Sequence, residues 1–303
     1  MNQTKPSSLS VAGIPGEKPY VISILVFQQL LSSLTYPIAK YGLAYIEPFT
    51  FAFFRYIISG VVLLSVALLK SKNPPIEKKD YKQIFFLAVL VILLNQTLFL
   101  YGQKLTGAGH GALLFATTPI WIFIGGLFFL KEKFALKRAI GISLGLTGVS
   151  IIMASGAIRF GKEYLFGDFL ILLSVFAWAA YTLASRPLVI KYGAFRVTAY
   201  ALSTGTALYF PFGIYRASTF DYSHVPFSAW LSVLFVAFGI SIGSYVLWNW
   251  VLKYMEATKV AVFQNLQPVF ATLVAFIFLH EPFGIAFIIG GIIVLTGVLI
   301  TRT

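Results

Sequence analysis

The side chains of this chain that can do chemistry are polar groups set inside apolar runs. Amides and aromatics recur there: Gln28 and Gln29, then Asn95, Gln96, Phe99 and Gln103, then Trp178 and Tyr181, then Tyr245, Trp248 and Asn249. Thr117 and Thr118 form a further group, as do Gln264, Asn265 and Gln267. An amide facing lipid would leave its donors and acceptors unpaired, so these groups are expected to face one another or an internal cavity. The chemistry they offer is recognition by stacking and neutral hydrogen bonds, suited to a flat or partly apolar small solute. Asn95 with Phe99, and Tyr245 with Asn249, are four apart, so each pair is expected to share a helix face. The candidate binding set is therefore Gln28, Asn95, Gln96, Phe99, Trp178, Tyr181, Tyr245, Trp248, Asn249, Gln264 and Gln267.

Pro119 and Pro268 lie near the middle of two apolar runs. Each is expected to remove a backbone donor and clash with the carbonyl four residues back, freeing the carbonyls of Phe115 and Gln264. They are the candidate hinges; the alternative is a static kink. Arg55 is the strong charge within an apolar run, and a central arginine costs about 2.5–3.5 kcal/mol to insert. It is read as a snorkelling or carbonyl-bound structural arginine, with attraction of an anionic solute group as the alternative. His110 and Lys259 begin equivalent runs and read as loop-end charges or gates. The ten acidic residues fall in the tail, in loops or at helix ends. With no carboxylate in mid-run to carry a proton, uniport or exchange is expected rather than proton coupling. Glu132 and Glu281 read as helix-end residues that tie loops to neighbouring helices. No catalytic residue, metal ligand or cofactor is assigned. Cysteine is absent, no HExxH motif occurs, and the three histidines lie in loops or at ends.

The elements that must position these groups are membrane helices. With 58% hydrophobic residues, 11% charged residues and a mean hydropathy of +0.86, the chain holds more apolar surface than a soluble domain could bury. Its net charge of +13 is read as orienting loops, not as a nucleic-acid surface. Apolar runs predict ten spans, over 20–39, 48–69, 83–103, 107–130, 138–154, 168–185, 194–215, 228–252, 259–279 and 284–301. Asp168 is the expected N-cap of the sixth. Placing the N-terminus inside puts 17 of the 23 basic residues on the inner side and 5 on the outer, with Arg55 in a span, so both termini are expected to be cytoplasmic. Residues 1–19 form a polar tail without the features of a signal peptide.

The chain also repeats itself. Pro119, Glu132 and Gly141 match Pro268, Glu281 and Gly290, and Leu146-Thr147-Gly148-Val149 matches Leu295-Thr296-Gly297-Val298, all at a constant separation of 149 residues. Five spans in each half invert the second copy relative to the first. The expected architecture is thus all-α and integral to the membrane: ten transmembrane helices built from two inverted five-helix repeats, 20–154 and 168–301.

Several segments resemble the EamA-like transporters of the drug/metabolite transporter superfamily. They are Gly167-Asp168-Phe169-Leu170 with Phe176-Ala177-Trp178-Ala179-Ala180-Tyr181, Pro268-Val269-Phe270-Ala271 through Leu279-His280-Glu281, and Gly290 with Leu295-Thr296-Gly297-Val298. Weaker versions, Phe54-Arg55-Tyr56 and Pro119 through Glu132, stand in the first half. Gln28-Gln29 departs from the tryptophan-glycine pair of many members. The resemblance covers about residues 20–301 and implies a ten-helix carrier, often an exporter, of a small organic metabolite such as an amino acid or similar aromatic or polar solute. Alternating access is the expected mechanism. A channel or lipid scramblase with a polar groove, or an intramembrane enzyme, are the alternatives. The expected partners are a small-molecule substrate and the lipid bilayer of the cell membrane, with a homodimer allowed but a monomer sufficient.

Overall fold

The computed structural model describes residues 19–69, 75–106, 108–154, 161–279 and 284–302. Every regular element among them is helical. Six helices are long and apolar enough to cross a membrane: α1 (Pro19–Leu43), α2 (Pro48–Leu69), α3 (Lys78–Leu105), α6 (Leu136–Ala154), α7 (Lys162–Tyr192) and α9 (Phe227–Leu252). Between them, α8 (Ala194–Ser218) has 25 residues and a more polar composition. The runs expected at 107–130 and 259–279 are each broken. The first divides into α4 (Ala108–Phe115) and α5 (Thr118–Phe129), the second into α10 (Ala257–Val262) and α11 (Leu266–Leu279). The chain closes with α12 (Ile285–Arg302). The tail, His280 and Glu281 lie outside the described residues, as does the His110 side chain.

The prolines do not sit where they would clash. Pro119 is the second residue of α5 and Pro268 the third of α11. In a first helical turn the missing N–H is one that has no intrahelical acceptor in any case. The carbonyls expected to be free are occupied: the Thr118 hydroxyl donates to Phe115 (2.6 Å), and the Leu266 N–H points at Gln264 and Phe263. Each proline thus starts a new helix rather than bending an old one. Asp168 also differs from expectation. The helix begins before it, and its carboxylate instead accepts the Thr106 hydroxyl at 3.0 Å.

Glycines set the closest helix contact, between α6 and α12. A Cβ on Gly141 would lie 2.5 Å from the Gly297 carbonyl oxygen, and one on Gly148 would lie 2.6 Å from that of Gly290. No side chain fits there, so backbones meet directly and gain dispersion contacts that lipid cannot supply. Elsewhere α2 packs on α8, α3 and α5 on α7, and α1 on α11. Bulky apolar side chains such as Leu69, Phe128 and Ile285 point outward, as a lipid solvent permits. The largest fully buried side chains are Trp248, Tyr56 and Tyr181, so these three polar-tipped aromatics lie inside.

Candidate functional site

Two widened helical segments shape the interior. Val89–Gln96 of α3 and Val236–Ser244 of α9 are π-helical. At their ends the N–H of Thr97 reaches the Ile92 carbonyl and that of Tyr245 reaches Ile240, each five residues back. Such insertions re-aim the side chains around them and concentrate at functional sites. Here they turn Asn95, Gln96, Ser241, Ser244 and Tyr245 toward the centre.

A first polar network joins α1 to α9 and α11. Gln28 Nε2 donates to the hydroxyls of Ser244 (2.8 Å) and Ser32 (3.0 Å). Gln29 Nε2 donates to Gln28 Oε1 (2.8 Å), and Gln29 Oε1 accepts from Gln267 Nε2 (2.7 Å). A second network joins α2, α3, α7 and α9. Arg55 donates through Nε to Ser241 (2.7 Å) and through Nη1 to Gln96 Oε1 (3.1 Å). Gln96 Nε2 donates to Tyr245 Oη (2.8 Å) and to Asn95 Oδ1 (2.7 Å), and Asn95 Nδ2 donates to the Ser174 carbonyl (2.9 Å). In a third, Asn249 Nδ2 donates to Tyr181 Oη and Thr198 Oγ1 (2.8 Å each), while its oxygen accepts from Ser185 (3.2 Å).

Aromatic rings connect the second and third networks. Trp178 stacks on Tyr181 at 5.5 Å between centroids, and lies 5.5 Å from Tyr245 and 5.6 Å from Trp248. Ten of the eleven candidate binding residues fall in these networks, in this cluster or at the Gln264 break. Phe99 goes elsewhere, edge-on to Phe115 at 5.0 Å. Asn95 and Phe99 thus meet different helices, α7 and α4. Tyr245 and Asn249 lie beyond the π segment of α9, and both are buried.

Arg55 is held by side chains of two other helices. It is 7% exposed and neither snorkels nor caps a carbonyl. Its guanidinium meets Ser241, midway along α9. Unsatisfied polar atoms also cluster inside: the indole N–H groups of Trp178 and Trp248, the Tyr56 hydroxyl, Gln264 Oε1 and both amide atoms of Asn265 are buried without a partner. Asn265 stands at the break in the second half, against Gly145. Sequence reasoning missed the groups that complete the networks, the Ser174 carbonyl and the hydroxyls of Ser185, Thr198, Ser241 and Ser244. Serine in an apolar helix commonly bonds back to its own turn, so nothing in the sequence marks these as interhelical partners.

At one end of the bundle, Glu132 behaves as expected. Lys131 takes a left-handed turn (φ 54°), and the Glu132 N–H returns to the Gly126 carbonyl at 3.0 Å. The carboxylate then accepts the N–H of Ala257 (2.7 Å) and the hydroxyl of Thr258 (2.6 Å) at the start of α10. Arg186 and Arg138 stand 3.7 and 3.8 Å away, and Arg138 also pairs with Glu256. Near the same end Lys191 bonds Glu77 and Asp80 at 2.7 Å each and holds both carboxyls below their ordinary range.

The model of the EamA-like transporter family matches this chain twice, over residues 20–154 and 165–303. An uncharacterized transporter of Archaeoglobus fulgidus is 28% identical over 283 residues, covering 92% of this chain and 96% of that protein. The uncharacterized transporter YetK of Bacillus subtilis is 32% identical over 249 residues, covering 79% of this chain and 76% of its own length. A solved crystal structure superposes with a TM-score of 0.80 at 19% identity, covering 94% of this chain and 99% of the other, a likeness of fold.

Proposed function

This chain belongs to the EamA-like transporter family, a family of multi-pass membrane transporters, and from that premise we propose that it is a secondary carrier for a small organic metabolite. The carrier has ten spans in two inverted five-helix repeats, with both termini cytoplasmic in the cell membrane, and works by alternating access as a monomer. Transport is uniport or exchange, outward in the cell. The observation that carries this reading is that amide bonds of α1 and α3 run between the halves. Gln28 and Gln29 reach Ser244 and Gln267, Asn95 reaches Ser174, and Gln96 reaches Tyr245. Gln96 and Tyr245 are 149 residues apart, the repeat interval, so they are repeat mates bonded to each other, as groups beside a two-fold axis must be. The glycine contacts agree: Gly141 with Gly297 becomes Gly290 with Gly148 under the same shift. The solute site lies at this axis, lined by the candidate amides and aromatics, with the breaks before Pro119 and Pro268 as hinges.

Reconstituted protein is expected to show saturable counterflow of its solute, unaffected by an imposed pH gradient. Uptake driven by a pH gradient would overturn uniport or exchange. Solute flux without counterflow, or lipid flipping without solute transport, would favour the channel or scramblase reading.

A further inference from the structure

We infer that the solute carries a single carboxylate and that Arg55 receives it. This deepens the carrier reading and rests on its placement of the solute at the axis. Three cationic side chains are buried among the described residues: Arg55, Arg138 and Arg186. Arg138 and Arg186 share the Glu132 carboxylate. Among the described residues Arg55 has no carboxylate partner; its hydrogen bonds go to the Ser241 hydroxyl and the Gln96 amide oxygen, both neutral. Those two bonds use Nε and Nη1, and the Tyr245 hydroxyl beside the guanidinium is a further neutral partner. A buried charge lacking a counter-charge is costly in a low dielectric, and its usual remedy is an anion.

The surroundings point the same way. Gln96 holds Arg55 on one side and the Tyr245 hydroxyl on the other, and Tyr245 abuts Trp178. The Tyr56 hydroxyl and the Trp178 and Trp248 indoles are buried without partners, and each can donate. The Tyr56 ring lies 5.6 Å from the guanidinium carbon, and an unpaired donor beside a fixed guanidinium suits an acceptor with two oxygens, which arginine binds through both arms of its fork. One positive charge balances one negative charge. A phosphate dianion would leave the second uncompensated, so a monocarboxylate fits and a phosphomonoester does not. The apolar remainder of the solute would rest on Trp178.

Equilibrium dialysis of the detergent-solubilised full chain tests this, with labelled acetate, phenylacetate and indole-3-acetate as probes and their amides as neutral isosteres. Saturable binding of at least one acid is expected, with its amide weaker by about tenfold or more. Arg55→Gln is expected to erase that difference. Arg55→Lys, which keeps the charge without the fork and guards against a folding defect in the first variant, is expected to retain part of it. Acids and amides binding alike, an acid preference that survives Arg55→Gln, or no saturable acid binding would each overturn the inference. Acid binding without counterflow in proteoliposomes would uphold it and sink the carrier reading instead.

Discussion

Asn249 and Trp178 both lie at the centre of the bundle, yet their surroundings assign them different work. Asn249 has its amide nitrogen and oxygen committed to Tyr181, Thr198 and Ser185. Replacing it with alanine strands those hydroxyls, at a cost of about 1–3 kcal/mol. Asn249→Ala is thus expected to lower the melting temperature in detergent. Trp178 holds three rings in contact and an indole N–H without an acceptor, and Gln264 keeps a buried oxygen equally unpaired. Under the proposed carrier reading these are the groups a solute would bond. Trp178→Ala and Gln264→Ala are expected to reduce counterflow, and if both left every transported solute unaffected the site would be misplaced. The residue types of this site were legible in the sequence, because amides inside apolar runs have few places to go. Their partners were not, since the serines and threonines that complete the networks look ordinary in any apolar helix.

At the scale of elements, the broken helices and the π segments decide which side chains converge. The breaks before Pro119 and Pro268 were legible from the prolines themselves. Their form was not: proline opens a first turn more readily than it distorts an existing one. The π segments left no mark in the sequence, because one inserted residue changes neither composition nor hydropathy. The Glu132 carboxylate shows how elements are joined at the basic end. It caps α10 from the end of α5 while facing Arg138 and Arg186. Removing its charge leaves Arg186 without a counter-ion, a loss of roughly 3 kcal/mol for a broken buried pair. Glu132→Gln is expected to lower the melting temperature and loosen the α10 contact; an unchanged melting temperature would count against the cluster as a structural tie.

At the scale of the whole molecule, the proposed orientation rests on the sidedness of the basic residues. The chain contains no cysteine, so single substitutions report topology without background. In intact cells a membrane-impermeant maleimide is expected to label Ser223→Cys and to spare Lys133→Cys and Thr303→Cys. Labelling of Lys133→Cys from outside would overturn the proposed orientation. By itself the sequence determined the membrane as solvent, the helical class, the duplication at 149 residues and the pool of polar groups. These properties are local or statistical: hydropathy, charge sidedness and repeat spacing are all read along the chain. Only the tertiary structure decided which polar groups meet. The pairing of Gln96 with Tyr245 and of Gly141 with Gly297 joins distant segments, and so do the bonds of Arg55 to Ser241 and Gln96. The physical reason is that a lipid solvent drives every amide inward without specifying its partner, so the partner is fixed by how the helices cross.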